Sequence, residues 1–292
     1  MTPPASGPEV DLAGCLHAGT SSFARFLAGH APELLPPLLR PTPGGIAALG
    51  DATPLRPVGG SPTGPAHATT IVALVHADGA VMAGDRRATA GSLIAHRAIE
   101  KVYVADGFTL VGIAGVAGLA TELVALFQVE LEHYEKIEGA CLTLEGRANR
   151  LRTMIRTHLP WALQGLPIVP LLAGYDPAAG RGRIFSYDVA GGCYEENDHA
   201  GVGSGAPFAR GALKKLWRPD LTADAALRVA LEALYDAADD DTGTAGPDVA
   251  RRIWPTCAVV DASGARLVED ADLARLVEEL VADRRGNPGG AR

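Results

Sequence analysis

Positive charge and cysteine are both scarce in this chain. Its 292 residues carry 26 lysines and arginines against 34 acidic side chains, a net charge of −8. Lysines number four, and no basic block occurs, so neither a surface that tracks phosphates nor a nucleic-acid partner is expected. The four cysteines, Cys15, Cys141, Cys193 and Cys257, lack C-x-x-C spacing and are too few for a disulfide framework. They suit reduced thiols in a cytoplasm. Long apolar runs are missing too: Pro, Gly and Ser interrupt the first residues repeatedly, so neither a secretory signal nor a membrane span is expected. The eight histidines form no H-x-x-x-H pair, and Asp239–Asp241 lacks the alternation of a calcium loop, so neither a metal nor another cofactor is expected.

What the chain does have is 47% hydrophobic residues, enough for a large core. Composition changes abruptly along it. Twelve of the 21 prolines fall within residues 1–68, and none lies between Ala66 and Leu159. The first 68 residues therefore read as a flexible or removable leader, with one short amphipathic helix over 21–35. At the boundary stands "GPAHATTIVALVHADGAVMAGDRRAT", residues 64–89, where two threonines meet the first strand-like run.

Periodicity organises the rest. Residues 69–85 read as two strands around an Asp78-Gly79 turn, and further strands are expected at 101–104 and 108–114. Apolar spacing predicts helices over 119–134 and 142–163, strands over 168–176 and 182–192, then helices near 208–216 and 223–239. A strand over 256–262 precedes a charged helix ending near Arg285, with residues 286–292 as a tail. Blocks of strands alternating with blocks of helices point to an α+β layered sandwich with antiparallel sheets.

Two glycine motifs fail as catalytic signatures. In "GIAGVAG", residues 112–118, the glycines stand three apart, unlike a phosphate loop. In "GVGSGAP", Val202 occupies the place where a nucleophile elbow needs glycine. Both read as turns. A threonine hydroxyl becomes a nucleophile when a base lies beside it, and an N-terminal threonine supplies its own α-amine, with a pKa of about 7.7–8.0. By pattern alone Lys101 also reads as a solvent-facing strand lysine, Asp85 as a turn residue, and Ser204, Asp241 and Thr244 as loop or capping residues.

Taken in order, "TTIVAL", "GDRRAT", "EKVYV", "GIAG", "LEHYEKIEG", "GVGSGAPFA" and "ALYDAADDDTGTAGPD" resemble 20S proteasome β-subunit precursors of the actinobacterial type, over nearly all of residues 69–285. The resemblance implies the four-layer αββα sandwich of N-terminal-nucleophile hydrolases. It implies a threonine endopeptidase whose propeptide, residues 1–68, is removed autocatalytically between Ala68 and Thr69. Thr69 would be the nucleophile, Lys101 the cation that tunes it, Asp85 the partner of Lys101, and the Gly115 amide the oxyanion donor. Ser204, Asp241 and Thr244 would support the amine and a water. Ala88, Ile99, Ile113 and Ala117 would form an apolar P1 pocket, with Thr89 along the substrate strand. Implied partners are proteasome α-subunits, homo-heptameric β-rings in a four-ring barrel, an ATPase ring that acts as unfoldase, and protein substrates. Two departures are Ala68, where the family has glycine, and Ala245, where glycine is common. The alternatives are the two-ring relative, which carries "GDGQ" in place of "GDRR", and an unprocessed, inactive ring subunit.

Overall fold

The computed structural model describes residues 69–289; the leader with its expected helix, and residues 290–292, lie outside the described residues. Strand β1 (Thr70–His76) turns back at Ala77-Asp78 into β2 (Gly79–Gly84), pairing Ile71 with Gly84 and His76 with Gly79. Strands β10 (His199–Gly203), β11 (Thr256–Asp261) and β12 (Gly264–Leu267) complete a five-stranded antiparallel sheet in the order β10-β1-β2-β11-β12. A second five-stranded antiparallel sheet runs β5 (Val102–Asp106), β6 (Thr109–Gly115), β7 (Ile168–Asp176), β8 (Arg181–Tyr187) and β9 (Cys193–Glu196) in chain order.

Alternation along the strands explains the layers. On β1, Ile71 and Ala73 face the second sheet, while Val72 and Leu74 face a helical layer. Strand β2 repeats this, with Ala80 and Met82 inward and Val81 and Ala83 towards the helices. Both faces are covered, so the strands are apolar at nearly every position, and each buried leucine or isoleucine contributes roughly 1.5–3 kcal/mol.

The helices form the outer layers. Helix α1 (Ala117–Glu138) buries Ala120, Leu123, Val124, Phe127 and Leu131, a spacing of three and four, against the second sheet beside α2 (Leu144–Thr157). Helices α4 (Ala206–Leu216), α5 (Ala223–Asp240) and α6 (Asp270–Gly286) cover the first sheet. The result is the αββα sandwich of the N-terminal-nucleophile type. The single helix expected over 142–163 is two helices, α2 and a short α3 (Leu159–Leu163). Pro160 has no N–H to continue the ladder, and the His158 amide closes back on Ile155 O instead. A small hairpin, β3 (Ala88–Ala90) with β4 (Leu93–His96), stands apart from both sheets.

Candidate active site

The residues singled out in the sequence gather at one end of the sandwich. Thr69 immediately precedes β1, Asp85 follows β2, Lys101 precedes β5, Gly115 ends β6, and Ser204 follows β10. Asp241 caps the C-terminus of α5, and Thr244 lies in the turn beyond. Five strand ends from the two sheets and the C-terminus of α5 thus deliver these residues.

Asp85 is the hub. Its side chain is fully buried, and its Oδ1 accepts from Lys101 Nζ at 2.7 Å and from the Thr70 amide at 2.8 Å. Its Oδ2 accepts from the amides of Arg87 at 2.9 Å and Ala245 at 3.1 Å. Lys101 is 5% exposed and also donates to the Arg87 carbonyl at 2.5 Å. A solvent-facing strand lysine is therefore not what Lys101 is. Burial pulls its pKa below the ordinary lysine value; the Asp85 charge and hydrogen bond oppose this, and the Arg87 charge adds to the lowering.

A hydroxyl chain occupies the other side of Thr69. Ser204 Oγ and Thr244 Oγ1 each donate to Asp241 Oδ2 at 2.6 Å. Since that uses the Thr244 proton, Thr70 Oγ1 is the donor in its 2.5 Å contact with Thr244 Oγ1, and it accepts from the Gly205 amide at 2.9 Å. Burial alone would raise the Asp241 pKa, but the two hydroxyls and the Gly243 amide hold it below the usual carboxylate value. The Thr69 carbonyl accepts from the Ser204 amide at 2.8 Å, and Ser204 Oγ lies 3.4 Å from it.

Two glycines here have no substitute. Gly203 has φ +100, and a Cβ on it would come within 1.9 Å of the Thr69 carbonyl oxygen. Gly115 has φ +120, and its Cβ would lie 2.1 Å from Pro167 O. The fit fixes both the carbonyl of Thr69 and the direction of the backbone at the end of β6.

Thr69, Lys101 and Gly115 line a single cleft with Ala88, Ile99, Ile113 and Ala117, so four of the five expected substrate residues converge there. Thr89 does not line it. It lies on β3, whose one partner among the described strands is β4. The cleft wall also includes Glu100 and Tyr103, which the sequence reading did not include, so the pocket is not wholly apolar. Beside Ala245, whose amide donates to Asp85 at 3.1 Å, Thr244 Oγ1 donates to Asp241 Oδ2 at 2.6 Å.

Thr70 and Arg87 were missed as well. Arg87 holds the Lys101–Asp85 pair through its backbone, while its Nη1 reaches the carbonyls of Thr242 and Thr244, both at 3.1 Å. The signals available were the doubled threonine and the doubled arginine of "GDRRAT". No cluster of three or more metal-ligating side chains is found among the described residues. Chemically, the site places a threonine, a buried cation of lowered pKa and a glycine turn around a cleft, which are the parts needed for attack by a hydroxyl on a carbonyl.

Comparison with known proteins gives the family of the chain. The family model described as proteasome subunit matches residues 66–250. Over 276 residues the chain is 55% identical to proteasome subunit beta of Acidothermus cellulolyticus, covering 93% of this chain and 90% of that protein. Over 267 residues it is 55% identical to proteasome subunit beta of Jonesia denitrificans, covering 90% and 82% respectively. The chain belongs to the proteasome subunit family, and these relatives within it are β-subunits.

Proposed function

We propose that the chain is the catalytic β-subunit of a bacterial 20S proteasome, a threonine endopeptidase that acts after residues 1–68 have been removed. The observation that carries this reading is Lys101, which lines the cleft that Thr69 and Gly115 share and is ion-paired there with the fully buried Asp85. Removing two ions from water is expensive, and well-packed apolar side chains would serve a purely structural subunit as well or better. That cost makes sense where a cation must sit beside a reacting hydroxyl.

Cleavage after Ala68 frees the Thr69 α-amine, which takes the proton from Oγ as Oγ attacks the scissile carbonyl. The Lys101 ammonium favours the ionised hydroxyl, and the Gly115 amide donates to the developing oxyanion, a contact typically worth roughly 2.7–4 kcal/mol. The leaving amine receives the proton, and water then hydrolyses the acyl ester. Asp241, with Ser204 and Thr244, steadies the Thr69 backbone from below.

An extended substrate adds along β3 at Thr89 and along the backbone of Gly115–Ala117, with the P1 side chain entering the cleft. The cleft has a volume of about 10 Å³, room for about one water, so a P1 side chain must part its walls. Apolar P1 residues fit Ala88, Ile99, Ile113 and Ala117. Glu100 at the wall tolerates a basic P1 better than an acidic one.

By family analogy, seven copies form a ring, two such rings stack between α-rings in the cytoplasm, and an ATPase ring delivers unfolded, tagged proteins. "GDRR" at residues 84–87 favours this over the two-ring relative. The test is Thr69→Ala, which is expected to give a full-length, inactive chain, with Thr69→Ser retaining part of both processing and peptidase activity. Wild-type peptide hydrolysis by Thr69→Ala would refute the assignment.

A further inference from the structure

A second pocket, of about 190 Å³, shares no lining residue with the Thr69 cleft. Four arginines line it, Arg86, Arg87, Arg97 and Arg251, against one acid, Asp248. In a chain of net charge −8 this is a local inversion of sign. Asp248 is already committed: its Oδ2 pairs with Arg251 Nη1 at 2.8 Å and its Oδ1 accepts the Arg251 amide at 2.9 Å. Arg87 sits within the balanced group of Asp85, Lys101 and Asp241. That leaves Arg86 and Arg97.

Arg86 Nη2 donates to the Ala98 carbonyl at 3.1 Å, and its Nε is buried without a hydrogen-bond partner. Neither Arg86 nor Arg97 is ion-paired with a carboxylate among the described residues, although Lys101, Arg147, Arg183, Arg228 and Arg284 all are. The remaining wall is apolar, made by Ile94, Ile253 and the buried ring of Trp254.

We infer that this pocket is a binding site for a small carboxylate with an apolar side group, of the size of an acylated amino acid or a short peptide end. The guanidinium groups supply planar, paired donors that match a carboxylate, and Ile94, Ile253 and Trp254 cover the apolar part. The volume of about 190 Å³ lies below the roughly 300–1,000 Å³ of sites for drug-sized ligands, which suits a molecule of this small size. Phosphate would satisfy the arginines but leave the apolar wall unused. The pocket shares Arg87 and Ala245 with the surroundings of Asp85, but Arg86 and Arg97, on which the inference and its test rest, make no hydrogen bond or ion pair with Thr69, Asp85 or Lys101 among the described residues.

Isothermal titration of the full-length chain with N-acetyl-leucine, its amide and inorganic phosphate tests the inference. N-acetyl-leucine is expected to bind saturably, the amide about tenfold or more weakly, and phosphate more weakly than N-acetyl-leucine. Arg86→Gln/Arg97→Gln should weaken N-acetyl-leucine about tenfold or more, and Arg97→Gln alone, at an exposed position, repeats the test should the double variant misfold. Absence of saturable binding, equal binding of the amide, tighter or equal binding of phosphate, or unchanged affinity in Arg97→Gln would each overturn it.

Discussion

Replacing Asp85 by asparagine keeps the shape of the hub but removes its charge, and the contacts around it set the cost. Both carboxylate oxygens are acceptors, each facing two donors: Thr70 N–H and Lys101 Nζ at Oδ1, the Arg87 and Ala245 amides at Oδ2. Whichever oxygen becomes an NH₂ therefore opposes two donors. Lys101, 5% exposed, also loses its counter-charge. Breaking one member of a buried pair costs about 3–5 kcal/mol. At about 2–4 °C per kcal/mol for a domain of this size, the melting temperature should fall by about 6–20 °C. Urea unfolding followed by tryptophan fluorescence would measure the loss. In the double variant Asp85→Asn/Lys101→Met the stranded charge is gone, so at least about 1 kcal/mol should be recovered relative to Asp85→Asn alone. A cost under about 1 kcal/mol for Asp85→Asn, or strict additivity with Lys101→Met, would refute the charged hub.

Ala68→Gly should accelerate removal of the leader, because loss of the Cβ relaxes the backbone at the carbonyl under attack; a gel time course after mixing with α-subunits reads the rate, and equal or slower conversion counts against the steric argument. Fluorogenic peptides should be cleaved faster after Leu or Tyr than after Arg, and slowest after Asp, with Glu100→Ala lowering the Arg rate relative to Leu; a preference for Asp would remove the pocket assignment. Asp241 is held below its ordinary value of 3.8, so its contribution to stability is complete above that value and is lost as pH falls through the lowered one. The stability difference between the wild type and Asp241→Asn should accordingly be present at neutral pH and shrink in acid; a difference that grows on acidification has the opposite sign and contradicts the network.

Strands with two buried faces were the most legible parts of the fold. Strand β7 coincides with the expected 168–176, and the β1–β2 hairpin lies where Asp78-Gly79 suggested it. Hairpin β3–β4 was invisible, because Leu93 is 72% exposed and Ile94 38%, so no apolar alternation marks it. Strand β10 contains Gly201 and Gly203 and reads as a turn; the tight approach to Thr69 that requires Gly203 is a tertiary fact. At the site, Asp85, Lys101 and Thr244 stand out through the order of motifs; in the structure Asp85 and Thr244 bind Thr70, and Lys101 lines the cleft with Thr69. Arg87 escaped notice because its main contributions come from its backbone N–H and C=O, which every residue type shares. Glu100 carries no motif signal of its own; it is an exposed residue that only the fold brings to the cleft wall.

The most direct test of the central claim is the intact mass, with N-terminal sequencing, of the chain coexpressed with its α-subunit. The account predicts a product that has lost residues 1–68 and begins at Thr69 in the wild type, and an uncut chain in Thr69→Ala. An uncut wild-type chain in an assembled particle that hydrolyses peptides, or a product beginning at any other residue, would contradict it.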